Sequence, residues 1–511
     1  MPFNNIPHFN ANPSFVRRRD FLSRTGQGIG MLALANLLQD NEAKAAPDLS
    51  LNPLAPRQGN FPSKAKSVIW LFMNGGQSQV DTWDYKPALA KHDGQDLKGF
   101  DKFTGFFSGE VGPLMKSPFK FEQQGKSGCW VPEIFPNMVD HVDDMAFIHS
   151  CFTETNNHSP ALFQINTGFS RMGFPCVGSW VTYGLGSVSQ NLPAFVVMYD
   201  TLGRGLPKGH ASNWGAGFLP GIFQGTALNP QGQPIDNLSR LPHMNEKEQR
   251  NQLDLVTRLN KLHQEEAPHE AALAARIESF ELAYRMQMSA PEAFDIDLEP
   301  ERIRKMYGLD NKKCSHFARQ ALVARRLVER GSRFVQIYSG GMENERSWDG
   351  HRDIEGNHRQ FAGETDQPIG ALLTDLKQRG LLDSTLVICC GEFGRLPIVQ
   401  KSKDKNFLGR DHNPHAFTTW MAGGGVKGGT HYGETDEVGF KAAVNRVSIN
   451  DLHATILQLL GIDHTKLTYR FNGRDFRLTD VAGNVVKEII CLLYTSPSPR
   501  DRTRSRMPSS A

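Results

Sequence analysis

The chain has 511 residues, of which 39% are hydrophobic and 22% are charged, so it is long enough for one large domain or two to three ordinary ones. Its 57 basic and 54 acidic residues give a net charge of only +3. This near balance gives no reason to expect nucleic acid or an anionic membrane as a partner.

The N-terminus has the features of an export signal. Arg17-Arg18-Arg19-Asp20-Phe21-Leu22 fits the twin-arginine pattern, Gly26 to Leu38 form a mildly apolar stretch, and Ala43-Lys44-Ala45 is a candidate cleavage site. We therefore predict that residues 1–45 are a signal peptide read by the twin-arginine export machinery, and that the protein is periplasmic or extracellular. The alternative is a basic disordered tail followed by a short amphipathic helix. No segment is apolar over the length that a transmembrane helix needs.

Short apolar runs rich in β-branched or aromatic residues predict the strands of one sheet. They are Ser67–Met73, Met145–His149, Pro193–Tyr199, Arg333–Ser339, Thr385–Cys390 and Phe417–Ala422. Helical patterns occur at Asn357–Arg379 and Asn450–Leu460. Apolar strands that alternate with helices predict an α/β fold, with a mostly parallel sheet covered by helices on both faces.

Residues 46–490 are assigned to a single domain of this kind. The charged, helical pattern of Asn245–Gln287 predicts an insertion near 245–290 on its rim. From Cys491 to Ala511 the chain is rich in Arg, Ser and Pro and has almost no apolar periodicity. This segment resembles translated adapter or vector sequence, although a natural disordered tail would have the same composition. We expect residues 491–511 to be an artefactual, disordered tail.

Polar residues follow the first two predicted strands. Asn74 stands at the tip of the first strand, and Asp81 or Asp84 could supply the charge that an amide ligand lacks. After the second strand, Ser159 precedes Pro160 at the start of a predicted helix. The helix dipole there would favour a nucleophile and an anionic ester. The structural alternative is that Ser159 only caps the helix.

Two segments in the C-terminal half place carboxylates after strands. Asp349 and His351 lie in a polar loop, and Glu392 comes directly after Thr385–Cys390. Such positions suit metal ligands, because carboxylates and imidazoles at strand ends build divalent-metal centres in α/β sheets. The structural alternatives are a turn cap for Asp349 and a surface position for Glu392. Arg395 is either the ion-pair partner of Glu392 or a residue that faces an anionic substrate.

A third segment, Asp411-His412-Asn413-Pro414-His415, precedes the strand Phe417–Ala422. Two imidazoles and a carboxylate in so short a loop are hard to explain by packing alone. We expect His412 to be a ligand, whereas His415 either binds metal or contacts a substrate oxygen. Together the three segments predict metal-assisted hydrolysis.

These motifs resemble those of an exported family, the domain-of-unknown-function family 1501, which is sulfatase-like and lies within the alkaline-phosphatase superfamily. The segments that carry the resemblance are LFMNGGQSQVDTWD, NHSPALFQINTG, SWDGHRD, GEFGRLP and GRDHNPHAFTTWMAGGGVKGG. The resemblance implies an αβα sandwich with one or two divalent metals at the strand ends, of which zinc, calcium and manganese are the candidates. It also implies cleavage of sulfate or phosphate esters by a Ser, Thr or formylglycine nucleophile.

Carried over residue by residue, the resemblance places Asp349, His351 and His412 at one metal. Glu392 falls where the superfamily has an Asp ligand, Phe393 where it has a His, and Asn74 where it has the first-strand Asp. The sulfatase signature places His158 at the nucleophile position and Ser159 one residue beyond it, which excludes formylglycine chemistry there.

We therefore predict an exported, metal-dependent hydrolase of sulfate or phosphate esters. Its substrate would be a small molecule or a polysaccharide, cleaved by Ser159, His158 or an activated water. His415 and Arg395 would steady the leaving group or the anion. The alternative is a non-catalytic member of the same fold that binds metal or glycan.

Overall fold

The computed structural model describes residues 52–228, 235, 244–266, 280–286, 291–342, 344–401 and 408–491. The predicted signal peptide, and the predicted C-terminal tail apart from Cys491, lie outside these residues. Within them, none of the helices combines the length and apolar character that a membrane span needs.

Strands are numbered in chain order. They are β1 (Ser67–Met73), β2 (Val111–Leu114), β3 (Phe121–Gln124), β4 (Cys129–Pro132), β5 (Met145–Phe152), β6 (Phe195–Met198), β7 (Thr226–Ala227), β8 (Phe334–Ser339), β9 (Thr385–Cys390), β10 (Gly394–Arg395), β11 (Ile398–Gln400), β12 (His412–Asn413), β13 (Phe417–Ala422), β14 (Thr430–Tyr432), β15 (Glu434–Thr435), β16 (Ala442–Val444), β17 (Val447–Ser448), β18 (Tyr469–Phe471) and β19 (Arg474–Phe476).

One nine-stranded sheet has the order β14-β5-β13-β9-β1-β8-β6-β7, and β17 also pairs with β5. All its pairings are parallel except those of β13, which runs antiparallel to β5 and β9. All six predicted strands lie in this sheet. The predicted mostly parallel sheet is therefore confirmed, and the long apolar runs are explained by burial of both its faces.

Helices cover both faces of the sheet, as predicted. The helices among the described residues are Pro87–Lys91, His158–Thr167, Val177–Leu185, Glu246–Glu266, Glu301–Tyr307, Ser315–Glu329, Ile354–Gln378 and Ile449–Leu459. Side chains of β1 alternate between the faces: Ile69 belongs to the core under Ser315–Glu329 and Ile354–Gln378, whereas Trp70 belongs to the core under Val177–Leu185 and Ile449–Leu459.

The region of the predicted insertion begins with the charged helix Glu246–Glu266, and residues 280–286 are also helical. Residues 267–279, between these two helical segments, lie outside the described residues.

The direction of the strands decides which loops meet. β1, β5, β8 and β9 are mutually parallel, so their carboxyl ends lie at one edge of the sheet. Because β13 is antiparallel, its first residue lies at that same edge. The segments after β5, β8 and β9 and the segment before β13 therefore converge there, as the sequence motifs required.

Candidate metal centre

Four buried side chains form a compact group at the carboxyl edge of the sheet: His158, Asp349, His351 and His412. One donor atom from each lies within 4.8 Å of the donor atoms of all the others. Three imidazoles and one carboxylate are a common ligand set for a divalent transition metal. Asp349 and His351 come from the loop after β8, His412 from the short strand β12 and His158 from the first turn of a helix, and only the folded sheet brings them together.

Asp349 lies at the centre of the group. Its Oδ1 is 2.9 Å from His351 Nε2 and 3.2 Å from His412 Nε2, and its Oδ2 is 3.2 Å from His158 Nε2. All three rings thus turn the same nitrogen toward one carboxylate. His158 Nε2 is buried, and its contact with Asp349 has the distance of an ion pair but not the geometry of a hydrogen bond.

The opposite nitrogens of two of the rings are held by oxygen acceptors. His351 Nδ1 is 2.6 Å from Gln400 Oε1, and His412 Nδ1 is 2.6 Å from the carbonyl oxygen of Asn156. The side-chain amide nitrogen of Gln400 donates to Glu110, which fixes which end of the amide faces His351. Since these oxygens carry no proton, each Nδ1 is the donor.

That proton placement is what a metal site needs. With Nδ1 protonated, a neutral ring presents a bare lone pair at Nε2, and the Nε2 atoms of His351 and His412 are only 2.9 Å apart. Two lone pairs at this distance repel unless a cation or a proton lies between them. Burial, followed by the neighbouring charge of His158, lowers the pKa of His412 well below its usual value, so that ring is neutral. The residues present therefore fit a divalent cation.

Glu392 stands behind His158 rather than inside the group. Its Oε1 lies 2.8 Å from His158 Nδ1, and both its oxygens accept the backbone N–H of Gly75 at 3.0 and 3.1 Å. Gly75 has φ +104°, and a Cβ there would lie 2.4 Å from the hydroxyl oxygen of Ser347. Only glycine therefore allows this approach. The sequence interpretation of Glu392 as a ligand is replaced by a carboxylate that orients a ligand.

The charges of the group are strongly coupled. Burial alone would lower the pKa of His158, but Asp349 and Glu392 together raise it to about 9. Burial works against the charge of Asp349 as well, yet Arg395 and His158 hold its pKa well below its usual range. Without metal, His158 and Asp349 thus form a buried ion pair.

The sequence left open whether Arg395 pairs with Glu392 or faces an anionic substrate; in the structure it pairs with Asp349. Its side chain is fully buried, and it donates to Asp349 Oδ1 at 2.6 Å and to the carbonyl oxygens of Gly75, Gly76 and Arg410. Four of its five N–H donors are thus engaged within the protein. Arg395 therefore holds the central carboxylate by the oxygen that also faces the rings of His351 and His412.

Two further predicted ligands lie outside the group. Asp81 is fully buried but accepts hydrogen bonds from Arg410 at 2.7 and 3.1 Å, so it forms a structural ion pair. Asn74 donates its amide to the carbonyl oxygen of Gly341. Asp81 does not belong to the four-residue group. Asn74 Oδ1, the atom that would bind a metal, is buried without a hydrogen-bond partner among the described residues, so the ligand role of Asn74 stays a prediction.

The residues predicted to attack the ester or to steady its leaving group, Ser159, His158 and His415, make other contacts in the structure. Ser159 is the second residue of its helix, and the cap is the side chain of Asn157, which accepts the Ser159 N–H. His158 is engaged by Asp349 and Glu392 and cannot attack. His415 is exposed and contacts the Phe440 ring edge-on, with ring centroids 5.6 Å apart.

A pocket of about 160 Å³ opens onto the group. The residues that line it are Phe106, Phe107, Asn157, His158, Lys208, Asn344, Asp349, His351 and His412. Phe106, Phe107, Lys208 and Asn344 were missed by sequence reasoning. They stand in irregular loops without a motif, and no sequence signal marks them. His158 was singled out, but for a different role.

A family model described as "Protein of unknown function (DUF1501)" matches residues 65–490. The chain belongs to the DUF1501 family. This confirms the family that the sequence motifs indicated. No curated protein matches the chain.

Solved structures that resemble this DUF1501 protein include an alkaline phosphatase, a phosphonate monoester hydrolase and a lipoteichoic acid synthase. A magnesium-bound mutant of the alkaline phosphatase of the Antarctic bacterium TAB5 shares 12% identity over 78% of this chain and 98% of its own, with a TM-score of 0.33. The phosphonate monoester hydrolase of Silicibacter pomeroyi shares 12% identity over 78% and 73%, with a TM-score of 0.33. The lipoteichoic acid synthase LtaP of Listeria monocytogenes shares 10% identity over 88% and 82%, with a TM-score of 0.31. Overlaps this weak carry no functional argument by themselves.

Proposed function

We propose that this protein hydrolyses sulfate or phosphate esters with one divalent metal held by His158, Asp349, His351 and His412. The observation that carries the proposal is the convergence of three imidazole Nε2 atoms on one carboxylate, with two of the rings held from behind in the tautomer that binds metal. Of the candidate ions, zinc suits this donor set best, because calcium prefers six to eight oxygen ligands.

The pocket indicates how hydrolysis would proceed. When bound, the metal supplies a Lewis acid that polarises the ester and lowers the pKa of the attacking water. No Ser, Thr or Cys is among the described residues that line the pocket, so no side chain there is placed to form a covalent ester intermediate. Lys208 brings positive charge to the pocket wall, and Asn157 and Asn344 bring amides, which suits an anionic ester.

A second candidate function is metal or glycan binding without turnover. The Phe393 ring supports it, because its centroid lies 5.0 Å from that of His158 and 4.5 Å from that of His412. An apolar ring thus lies against two of the imidazoles, at the sequence position where the superfamily supplies a further ligand. Turnover separates this candidate from the first.

We also propose that the protein is exported to the periplasm or beyond by the twin-arginine machinery, where it would meet small-molecule or polysaccharide esters. The segment Arg17-Arg18-Arg19-Asp20-Phe21-Leu22 supports this proposal. Changing Arg17, Arg18 and Arg19 to Lys should retain the protein in the cytoplasm. Unchanged export of that variant would contradict the proposal.

The enzymatic proposal is tested with the purified chain loaded with zinc and assayed on aryl sulfates and aryl phosphates. We expect Asp349→Ala combined with His412→Ala to lose both bound zinc and turnover. The control His415→Ala replaces an exposed histidine of the same loop and should keep both. Ser159→Ala should also retain turnover. Stoichiometric zinc without turnover on either ester class would favour the binding function instead.

A further inference from the structure

The mouth of the metal pocket carries an aromatic wall. The Phe106 side chain lines the pocket and is 49% exposed, and its ring centroid lies 5.8 Å from that of His412. Phe107 stands beside it and meets His351 edge-on, with centroids 5.1 Å apart. Phe106 therefore offers exposed phenyl surface at the pocket mouth, where a ligand that extends out of the pocket can pack against it.

The wall is built into the site. The backbone N–H of Phe107 donates to Asp411 Oδ2 at 2.7 Å, and the side-chain amide of Asn156 donates to the carbonyl oxygens of Thr104 and Gly105 at 3.0 and 2.9 Å. A Cβ on Gly105 would lie 2.3 Å from Asp411 Oδ2, so the loop could not approach this closely with another residue. The backbone carbonyl oxygen of Asn156 also accepts the proton of His412 Nδ1. Asn156 therefore holds both the imidazole of His412 and the loop that carries Phe106 and Phe107.

The pocket is too small to enclose an ester of drug-like size. Its volume of about 160 Å³ is well below the roughly 300–1,000 Å³ of pockets that enclose drug-sized ligands. A tetrahedral anion bound at the metal would occupy part of this volume. A large alcohol part of the ester must then extend through the mouth, where Phe106 is the exposed apolar surface.

We propose that Phe106 binds a ring of the alcohol part, and that the substrates are monoesters of ring-bearing alcohols, either sugars or aryl alcohols. This inference rests on the proposed function for the position of the anion. Both kinds of ring present a flat apolar face that stacks on a phenyl ring, whereas an open-chain alcohol does not. Phe106 is therefore a residue that determines specificity.

The test uses two pairs of non-hydrolysable ligands that share a head group: phenylphosphonate with methylphosphonate, and benzenesulfonate with methanesulfonate. Dissociation constants are measured by calorimetry on the zinc-loaded full chain. We expect the ring to improve binding about tenfold in at least one pair, which corresponds to ~1.4 kcal/mol. Phe106→Ala should abolish this ratio and leave the methyl ligand unchanged, whereas Phe106→Tyr should keep it.

Phe103→Ala is the matched control, because Phe103 is 67% exposed on the same loop and does not line the pocket. It should keep the full ratio. Competition for phenylphosphonate by glucose 1-phosphate and by glycerol 3-phosphate then distinguishes a sugar ring from an aryl ring. Equal binding of ring and methyl ligands, a ratio unchanged in Phe106→Ala, or no binding of either pair would overturn the inference. A ring preference that depends on Phe106, without ester turnover, would support ring binding by Phe106 while refuting the proposed hydrolysis.

Discussion

Binding of the metal should release one proton at neutral pH, and that proton should come from His158. In the metal-free chain the ring is charged, because Asp349 and Glu392 outweigh the effect of burial and raise its pKa to about 9. A metal at His158 Nε2 needs the neutral ring. Asp349 and His412 should release no proton when the metal binds, because Asp349 is already ionised and His412 is already neutral.

The size of the effect follows from that pKa. At pH 7 a group with a pKa of about 9 is ~99% protonated, so wild type should release close to one proton per metal. Removing this proton from His158 at pH 7 costs ~2.7 kcal/mol, because the pH lies two units below the pKa and each unit corresponds to ~1.36 kcal/mol. The neutral fraction of the ring is about 1% at pH 7 and about half at pH 9, so the apparent affinity for zinc should rise about fiftyfold between these pH values.

The assay is calorimetric titration with zinc at pH 7 in buffers of different ionisation enthalpy, which yields the number of protons released. His158→Gln should release about one proton fewer than wild type. His464→Gln is the control, because His464 lies outside the group and bonds to the hydroxyl of Thr479. A proton count that is the same in wild type and in His158→Gln would refute this account of the site.

Three further predictions concern the residues around the group. Glu392→Ala should weaken zinc binding by about 10- to 100-fold, whereas Glu392→Gln, which keeps an acceptor for His158 Nδ1, should lose less, as measured by competition with a chelator; equal losses would contradict the orienting role. Asp81→Ala should lower the free energy of unfolding by about 3–5 kcal/mol, because it leaves Arg410 buried and unpaired, without changing zinc affinity at low denaturant; reduced zinc affinity would return Asp81 to the site. The metal-free chain should lose on the order of 3 kcal/mol of stability as pH rises from about 6.5 through 9, because the folded pKa of His158 lies above its unfolded value; denaturant unfolding that shows no such loss would contradict the buried ion pair with Asp349.

The sheet was predictable from the sequence because both its faces are buried. Strands such as Ser67–Met73 and Thr385–Cys390 are continuously apolar, and runs of that length are hard to mistake. The convergence of Asp349, His351 and His412 was predictable for the same reason, since each stands next to such a strand. Because parallel strands have their carboxyl ends at the same edge of a sheet, these residues were expected to meet there.

The roles of individual side chains were not predictable, because they depend on partners far away in the chain. Glu392 and His158 read as ligand and nucleophile by motif, but their contact with each other makes one the support and the other a ligand candidate. Arg395 was expected to pair with Glu392 or to face an anionic substrate, yet it pairs with Asp349 and donates to carbonyl oxygens. Asp81 forms an ion pair with Arg410, and no rule of sequence spacing connects the two residues.

The central claim is a single metal centre of three imidazoles and one carboxylate, and X-ray absorption at the zinc edge combined with metal analysis tests it most directly. We predict one zinc per chain, bound to three nitrogen ligands and one oxygen at about 2.0–2.1 Å from protein side chains, with no sulfur. The His351→Ala variant should show one nitrogen fewer. Two zinc ions per chain, or a spectrum unchanged in His351→Ala, would contradict the site described.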